Sequence, residues 1–231
     1  MIVKMALYGL KSSGAAFRAK LAGVLHELPY VPLKEDPDVW IRPGVRTNGS
    51  EYYGMALCYI YDVIVIAAKP MKTMDGIRAV FKLKGDKAEN TDMYLGASLS
   101  ELEMGDGTRC WTMSSEKYVK AAIENVEARL AKSDLRFPSR CDTPMSASYH
   151  PSEEITRAMN AKGLHTYQEI IGILRWAIEI GRIYILLEVS LLSSHLVLLR
   201  IGNLQAVYWI FRYLKQVPKG RLYFDPKKPI L

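Results

Sequence analysis

The chain has 231 residues, 49% of them hydrophobic and 24% charged, with a mean hydropathy of −0.01, which excludes a disordered or fibrous chain and leaves one large domain or two small ones. Lys and Arg total 31 against 24 Asp and Glu, a net charge of +7 that suits contact with phosphates as well as it suits a solvated basic surface. Cys58, Cys110 and Cys141 are far apart and form no CxxC pair, so a zinc site or disulfide framework is not expected, and an intracellular reducing compartment fits best.

In chain order, MIVKMALYGLK lacks the layout of a signal peptide. Residues 13–28 read as a helix, with Phe17, Leu21, Val24, Leu25 and Leu28 on one face, Ser12 or Ser13 as cap and Pro29 as stop. The stretch 42–51 is turn-rich. Two strand-like runs follow, YYGMALCY and VIVIAA, separated only by Ile60, Tyr61 and Asp62, which predicts a tight hairpin of largely buried strands. A short helix is expected over 73–84. A second hairpin then pairs MYLGASLSELE with TRCWTM through Met104-Gly105-Asp106-Gly107.

Residues 115–131 carry a helical stripe of Val119, Ala122, Ile123, Val126 and Leu130, with Ser115 as N-cap. The polar, proline-bearing stretch 133–163 reads as a connector between lobes. Thr166 with Glu169 forms a capping-box pattern for a helix ending near Gly181, and two more helices are expected over 183–199 and 203–216. The first of these, IYILLEVSLLSSHLVLL, is at the short end of what spans a bilayer. Glu188, Ser190, Ser193, Ser194 and His195 interrupt it, so it is read as a core helix and no membrane span is expected. Residues 219–224 are a candidate closing strand.

Ala6-Leu7-Tyr8-Gly9-Leu10-Lys11, followed by small residues and Phe17, resembles a segment of the copia-type LTR retrotransposon reverse transcriptases. DPDVW (36–40), CYIYDVIVIA, YLGASL with CWTMSSEKYV, and YQEIIGILRWA with IFRYLK resemble further segments of that family in the family's order. The resemblance implies an α+β fold. Residues 1–113 would be a partial palm with a primer-grip-like hairpin, and residues 114–231 a helical thumb and connection region. It also implies that the fingers and the first palm strand would lie before residue 1, and RNase H after residue 231.

Polymerases of this family hold two Mg²⁺ ions on clustered carboxylates, two of them adjacent at the tip of the palm hairpin, because close divalent charges need several hard anionic oxygens. Here the tip reads Tyr59-Ile60-Tyr61-Asp62. Tyr61 stands where the first aspartate of the pair belongs, and a phenol with a pKa of about 10 is a poor Mg²⁺ ligand at neutral pH. Asp62 is then a remnant carboxylate and at best a weak metal ligand. No cofactor is expected, and Mg²⁺ only with residual polymerase activity. A second departure is Arg182-Ile183-Tyr184-Ile185, where the family has Arg-Pro-Asp-Ile. Both changes are aspartate to tyrosine.

The resemblance makes Lys11, Arg18 and Lys20, and Arg109, Trp111, Lys117 and Lys120, candidate contacts to a primer–template nucleic acid. Read without it, Asp62 is a turn residue, Tyr61 and Trp111 pack against neighbours, and Lys117 and Lys120 are a solvated helix face. Three functions follow from this reading. The first is a catalytically inactive reverse-transcriptase-like domain that binds nucleic acid weakly or acts structurally. The second is an active polymerase fragment. The third is a scaffold subunit whose partner covers an exposed palm edge.

Overall fold

The computed structural model describes residues 12–60, 62–82, 92–150, 153–194 and 199–224. The described residues form an α+β structure with two four-stranded antiparallel sheets and six α-helices. They divide into two compact units, residues 1–90 and 91–231. The division at 113/114 expected above falls inside the second unit.

The first unit opens with α1 (Ser13–Glu27). Its stripe folds as the spacing predicts: Leu21, Val24 and Leu25 are buried, and Phe17 packs beside them on Phe81, with ring centroids 5.0 Å apart. Ser12 precedes the helix but makes no side-chain cap bond. Four strands follow: β1 (Val31–Pro32), β2 (Val39–Val45), β3 (Glu51–Tyr59) and β4 (Asp62–Ile66), in the order β1-β2-β3-β4. Strand β2 takes in Arg42 to Val45, which the proline and glycine there had marked as turn; Pro43 lies opposite Tyr53.

Helix α2 (Pro70–Arg78) begins earlier than the sequence pattern suggested, because Pro70 occupies the first turn, where its missing N–H costs nothing. Trp40, Ala56 and Ile77 are buried with α1, and Cys58, Val63 and Val65 pack against them. Tyr30 is fully buried. Its hydroxyl is 3.0 Å from the Thr73 hydroxyl, and the Arg42 guanidinium lies over its ring at 4.6 Å.

The second unit contains β5 (Met93–Tyr94), β6 (Ala97–Glu103), β7 (Arg109–Ser114) and β8 (Arg221–Phe224), again in sequential order. Gly107, at φ +79°, turns the β6–β7 hairpin, and Asp106 accepts the Thr108 N–H at 2.9 Å. Helices α3 (Glu116–Ala131), α4 (Ala161–Glu179), α5 (Leu186–Ser193) and α6 (Ile201–Gln216) complete it. Val119, Ile123, Val126 and Leu130 of α3 share one core with Ile170 and Leu174 of α4 and Val207, Ile210 and Leu214 of α6.

Three expectations are corrected here. Helix α4 starts at Ala161, capped by Asn160, whose side chain accepts the Gly163 N–H at 2.9 Å. Thr166 and Glu169 therefore lie inside the helix. Thr166 bonds back to the Lys162 carbonyl, and Glu169 pairs with Arg129. The connector is not a boundary between lobes: it lies along α6, tied there by Trp209 Nε1 donating to Thr143 O at 2.9 Å and by the Arg212 guanidinium donating to Ser139 O. The single helix expected over 183–199 is a 3-10 turn (Ile183–Ile185) followed by the short α5. Among the described residues no helix is long and apolar enough to cross a membrane. The three cysteines are free thiols.

Arg182 is the largest side chain buried in the second unit, with no exposed surface. Its guanidinium donates to Ser115 Oγ at 2.9 Å, Tyr184 Oη at 2.8 Å, Val217 O at 3.0 Å and Pro218 O. The Ser115 hydroxyl is therefore spent on Arg182 and not on capping α3. Gly220 lies against the guanidinium, where a Cβ would collide with it. A buried cation is tolerable only when its donors are met, so this one residue ties the β7–α3 junction to the α6–β8 link.

Candidate functional site

The β3–β4 hairpin carries the residues singled out for chemistry. Tyr61 lies outside the described residues. Ile60, just before it, is in the left-handed region at φ +52°, an uncommon conformation for a β-branched side chain that the two-residue connection imposes. Asp62 is the first residue of β4, exposed, and directly opposite Tyr59.

Side chains alternate across a strand, so the sheet has two distinct faces. One bears Trp40, Ala56, Cys58, Val63 and Val65 and packs on α1. The other bears Ile41, Tyr53, Met55, Leu57, Tyr59, Asp62, Ile64 and Ile66. This second face is open: Tyr53 is 61% exposed and Ile66 55%. The expectation of two largely buried strands is corrected accordingly. Apolar runs in sequence do not say whether one or both faces will find a cover.

Asp38, just before β2, accepts the Cys58 N–H through its carbonyl at 2.9 Å, and its carboxylate pairs with Arg18 at 2.8 Å. That carboxylate therefore belongs to the α1 side of the sheet, away from Asp62. Burial, with the Asp38 carboxylate nearby, pushes the Cys58 thiol up to about 11.

The basic candidates fall in two groups. Lys11 lies outside the described residues. Arg18 is held by Asp38, and Lys20 sits 5.2 Å from the centre of the Phe81 ring. In the second unit, Arg109 pairs with Glu101 across the hairpin. Lys120 pairs with Glu116 at 2.7 Å, and Lys117 is exposed. Trp111 is not core: it is 49% exposed, between Glu101 of β6 and Phe224 of β8. Arg109 and Trp111, two apart on β7, share a face with Glu101 and Glu103, so this surface is aromatic but close to neutral.

Sequence reasoning missed Phe224 beside Trp111, because its partner strand is more than a hundred residues away, and missed the role of Arg182.

Among the described residues no group of three or more His, Cys, Asp or Glu side chains could hold a metal ion. Two clefts of about 340 and 450 Å³ lie along α6, lined by residues such as Arg136, Pro138, Tyr208 and Arg212 and by none of the candidate residues.

Compared with known proteins, the whole chain is similar to a segment of the retrovirus-related Pol polyprotein from transposon TNT 1-94 of Nicotiana tabacum, 26% identical over an aligned span of 239 positions. The chain spans 17% of that polyprotein's length. No protein-family model matches the chain, and no solved structure matches it. The similarity, running from end to end of the chain, supports an origin in a retrotransposon polyprotein of the copia type.

Proposed function

We propose that this chain is a catalytically inactive, reverse-transcriptase-like segment of copia-type retrotransposon descent, with a weak nucleic-acid-binding or structural role. The observation that carries the reading is the hairpin tip. Tyr61-Asp62 offers one carboxylate where metal-dependent nucleotidyl transfer needs adjacent anionic ligands. The described residues do not fit a two-metal centre. Asp62 faces Tyr59 across the turn, and the carboxylate just before β2, Asp38, is engaged by Arg18 on the opposite side of the sheet.

Weak binding follows from the charge arrangement. Arg18, Arg109 and Lys120 are each neutralised by an acidic partner, which reduces the counterion release that drives phosphate binding. Trp111 and Phe224 supply exposed rings suited to base stacking.

Primer extension with Mg²⁺ or Mn²⁺ tests the enzyme reading. The unaltered chain is expected to add no nucleotide, and extension by it would overturn the proposal. A salt-dependent mobility-shift titration on a primer–template duplex tests the binding role. Weak binding at low salt that weakens further in Trp111→Ala supports it, and no binding at low salt leaves the structural role.

A further inference from the structure

Helix α3 ends at Ala131, and the chain reverses direction there. Asp134 takes the left-handed conformation, at φ +52°, which a short polar side chain tolerates. The Leu135 N–H then returns to Leu130 O at 2.9 Å. This reversal, with Pro138 stiffening the segment that follows, leaves a cleft between the end of α3, residues 135–139 and α6. The cleft holds about 340 Å³, the size of a small-molecule site.

The cleft has an apolar side and a charged side. Leu130, Leu135, Phe137 and Pro138 form the first. Leu130 is buried in the core, and the Phe137 ring lies against Tyr208 with centroids 6.5 Å apart, so this side is held in place. Arg136 and Arg212 form the second. The acidic residue lining the cleft, Glu127, is engaged by Lys215. The two arginines therefore leave the cleft positive.

Arg212 carries the argument furthest. Its Nη2 donates to Ser139 O at 2.6 Å, which fixes the guanidinium beside the cleft. Its Nε is buried and has no acceptor among the described residues. Buried donors are seldom left unmet, because an unmet donor costs stability. A guanidinium held in this way has already lost its side-chain freedom, so an entering anion meets a prepared fork. Arg136 is exposed and lines the second cleft as well. A purely apolar ligand would desolvate these cations without pairing them, and a bare anion would leave the apolar side wet.

We propose that this cleft binds a small amphipathic anion, a flat apolar body carrying one phosphate or carboxylate. The body rests on Leu130, Leu135 and Phe137, and the anion pairs with Arg212 and Arg136. The proposal is independent of the hairpin-tip reading and of nucleic-acid binding at Arg109 and Trp111.

Naphthyl phosphate is the probe, titrated into the isotope-labelled full chain and followed by NMR. The backbone signals of Ala131, Phe137 and Ser139 should move. A ligand of about 15 non-hydrogen atoms at ordinary efficiency dissociates at roughly 0.5 mM. Naphthol and inorganic phosphate should each bind at least about tenfold more weakly. Adenosine monophosphate, whose ring is polar, should also bind several-fold more weakly. Naphthoate should bind within about tenfold of naphthyl phosphate, and the tighter of the two identifies the anion.

Arg136→Gln should weaken naphthyl phosphate at least about fivefold. Lys117→Gln makes the same charge change at an exposed position of α3 that does not line the cleft, and should leave binding as it is. Arg212→Gln should weaken binding at least as much as Arg136→Gln. Should it fail to fold, Arg136→Gln and Leu135→Ala decide, the latter weakening naphthyl phosphate but not inorganic phosphate. No shift up to about 5 mM probe, equal binding of naphthol, inorganic phosphate or adenosine monophosphate, or equal weakening by Lys117→Gln would overturn the proposal.

Discussion

Removing the Arg182 side chain should destabilise the second unit more than any surface change. Arg182→Ala strands the Val217 and Pro218 carbonyls, frees the Ser115 and Tyr184 hydroxyls and opens a cavity. Each buried carbonyl left unpaired costs about 1–3 kcal/mol, and a void of roughly 80 Å³ adds about 2 kcal/mol at the cavity coefficient. Against this, the variant no longer has to desolvate a cation, which returns several kcal/mol.

The expected net loss is about 3–4 kcal/mol, a fall in melting temperature on the order of 10 °C for a unit of this size. Arg182→Met fills the space without bonding and should lose about 2 kcal/mol. Tyr184→Phe removes one half-exposed acceptor and should lose about 1 kcal/mol. Urea denaturation followed by tryptophan fluorescence is the assay, since Trp111, Trp176 and Trp209 lie in this unit and only Trp40 in the other. A loss below about 1 kcal/mol in Arg182→Ala would refute the reasoning, because the hydrogen bonds would then do no more than cancel the desolvation cost.

Further outcomes follow from other parts of the structure. Gly181 sits at φ +114° with Leu222 close by, so Gly181→Ala should cost about 1–3 kcal/mol in the same assay. The Cys58 thiol, pushed up to about 11 by burial, should alkylate at neutral pH well over tenfold more slowly than a free thiol, as followed by mass spectrometry. Its folded-state value lies above the unfolded one, so its contribution to stability holds below about pH 9 and is lost as pH rises through 11. Arg129 holds the Glu169 carboxyl below the ordinary range. The stabilisation from that pair is present above the ordinary carboxylate value and fades as pH falls through the lowered one. It stays under about 1 kcal/mol because the pair is exposed, and Arg129→Met should abolish that part of the acid-side loss in a denaturation series.

What could be read from sequence was local. The stripe Leu21-Val24-Leu25 and the stripe Val119-Ile123-Val126-Leu130 specify helices because helical spacing alone gathers them on one face. Gly107 and the two-residue interval before Asp62 specify hairpins because few backbone conformations close so short a loop. That the hairpin tip carries a tyrosine next to one carboxylate was also legible, since it concerns which atoms the side chains carry and not where they lie.

Tertiary structure decided the rest. Asn160 and Thr166 are both competent caps, and only the folded chain, where Ala158 pairs with Arg200 and the Met159 N–H reaches Leu199 O, shows that α4 starts after Asn160. Arg182 reads in sequence as a surface cation, but its four acceptors come from segments as far away as Ser115 and Pro218. Trp111 gains Phe224 as a neighbour through a strand pairing that spans more than a hundred residues. The runs YYGMALCY and VIVIAA suit burial on either face. A second face stays open when no layer covers it, and hydrophobic period reports which side chains face together, not what distant chain arrives to cover them.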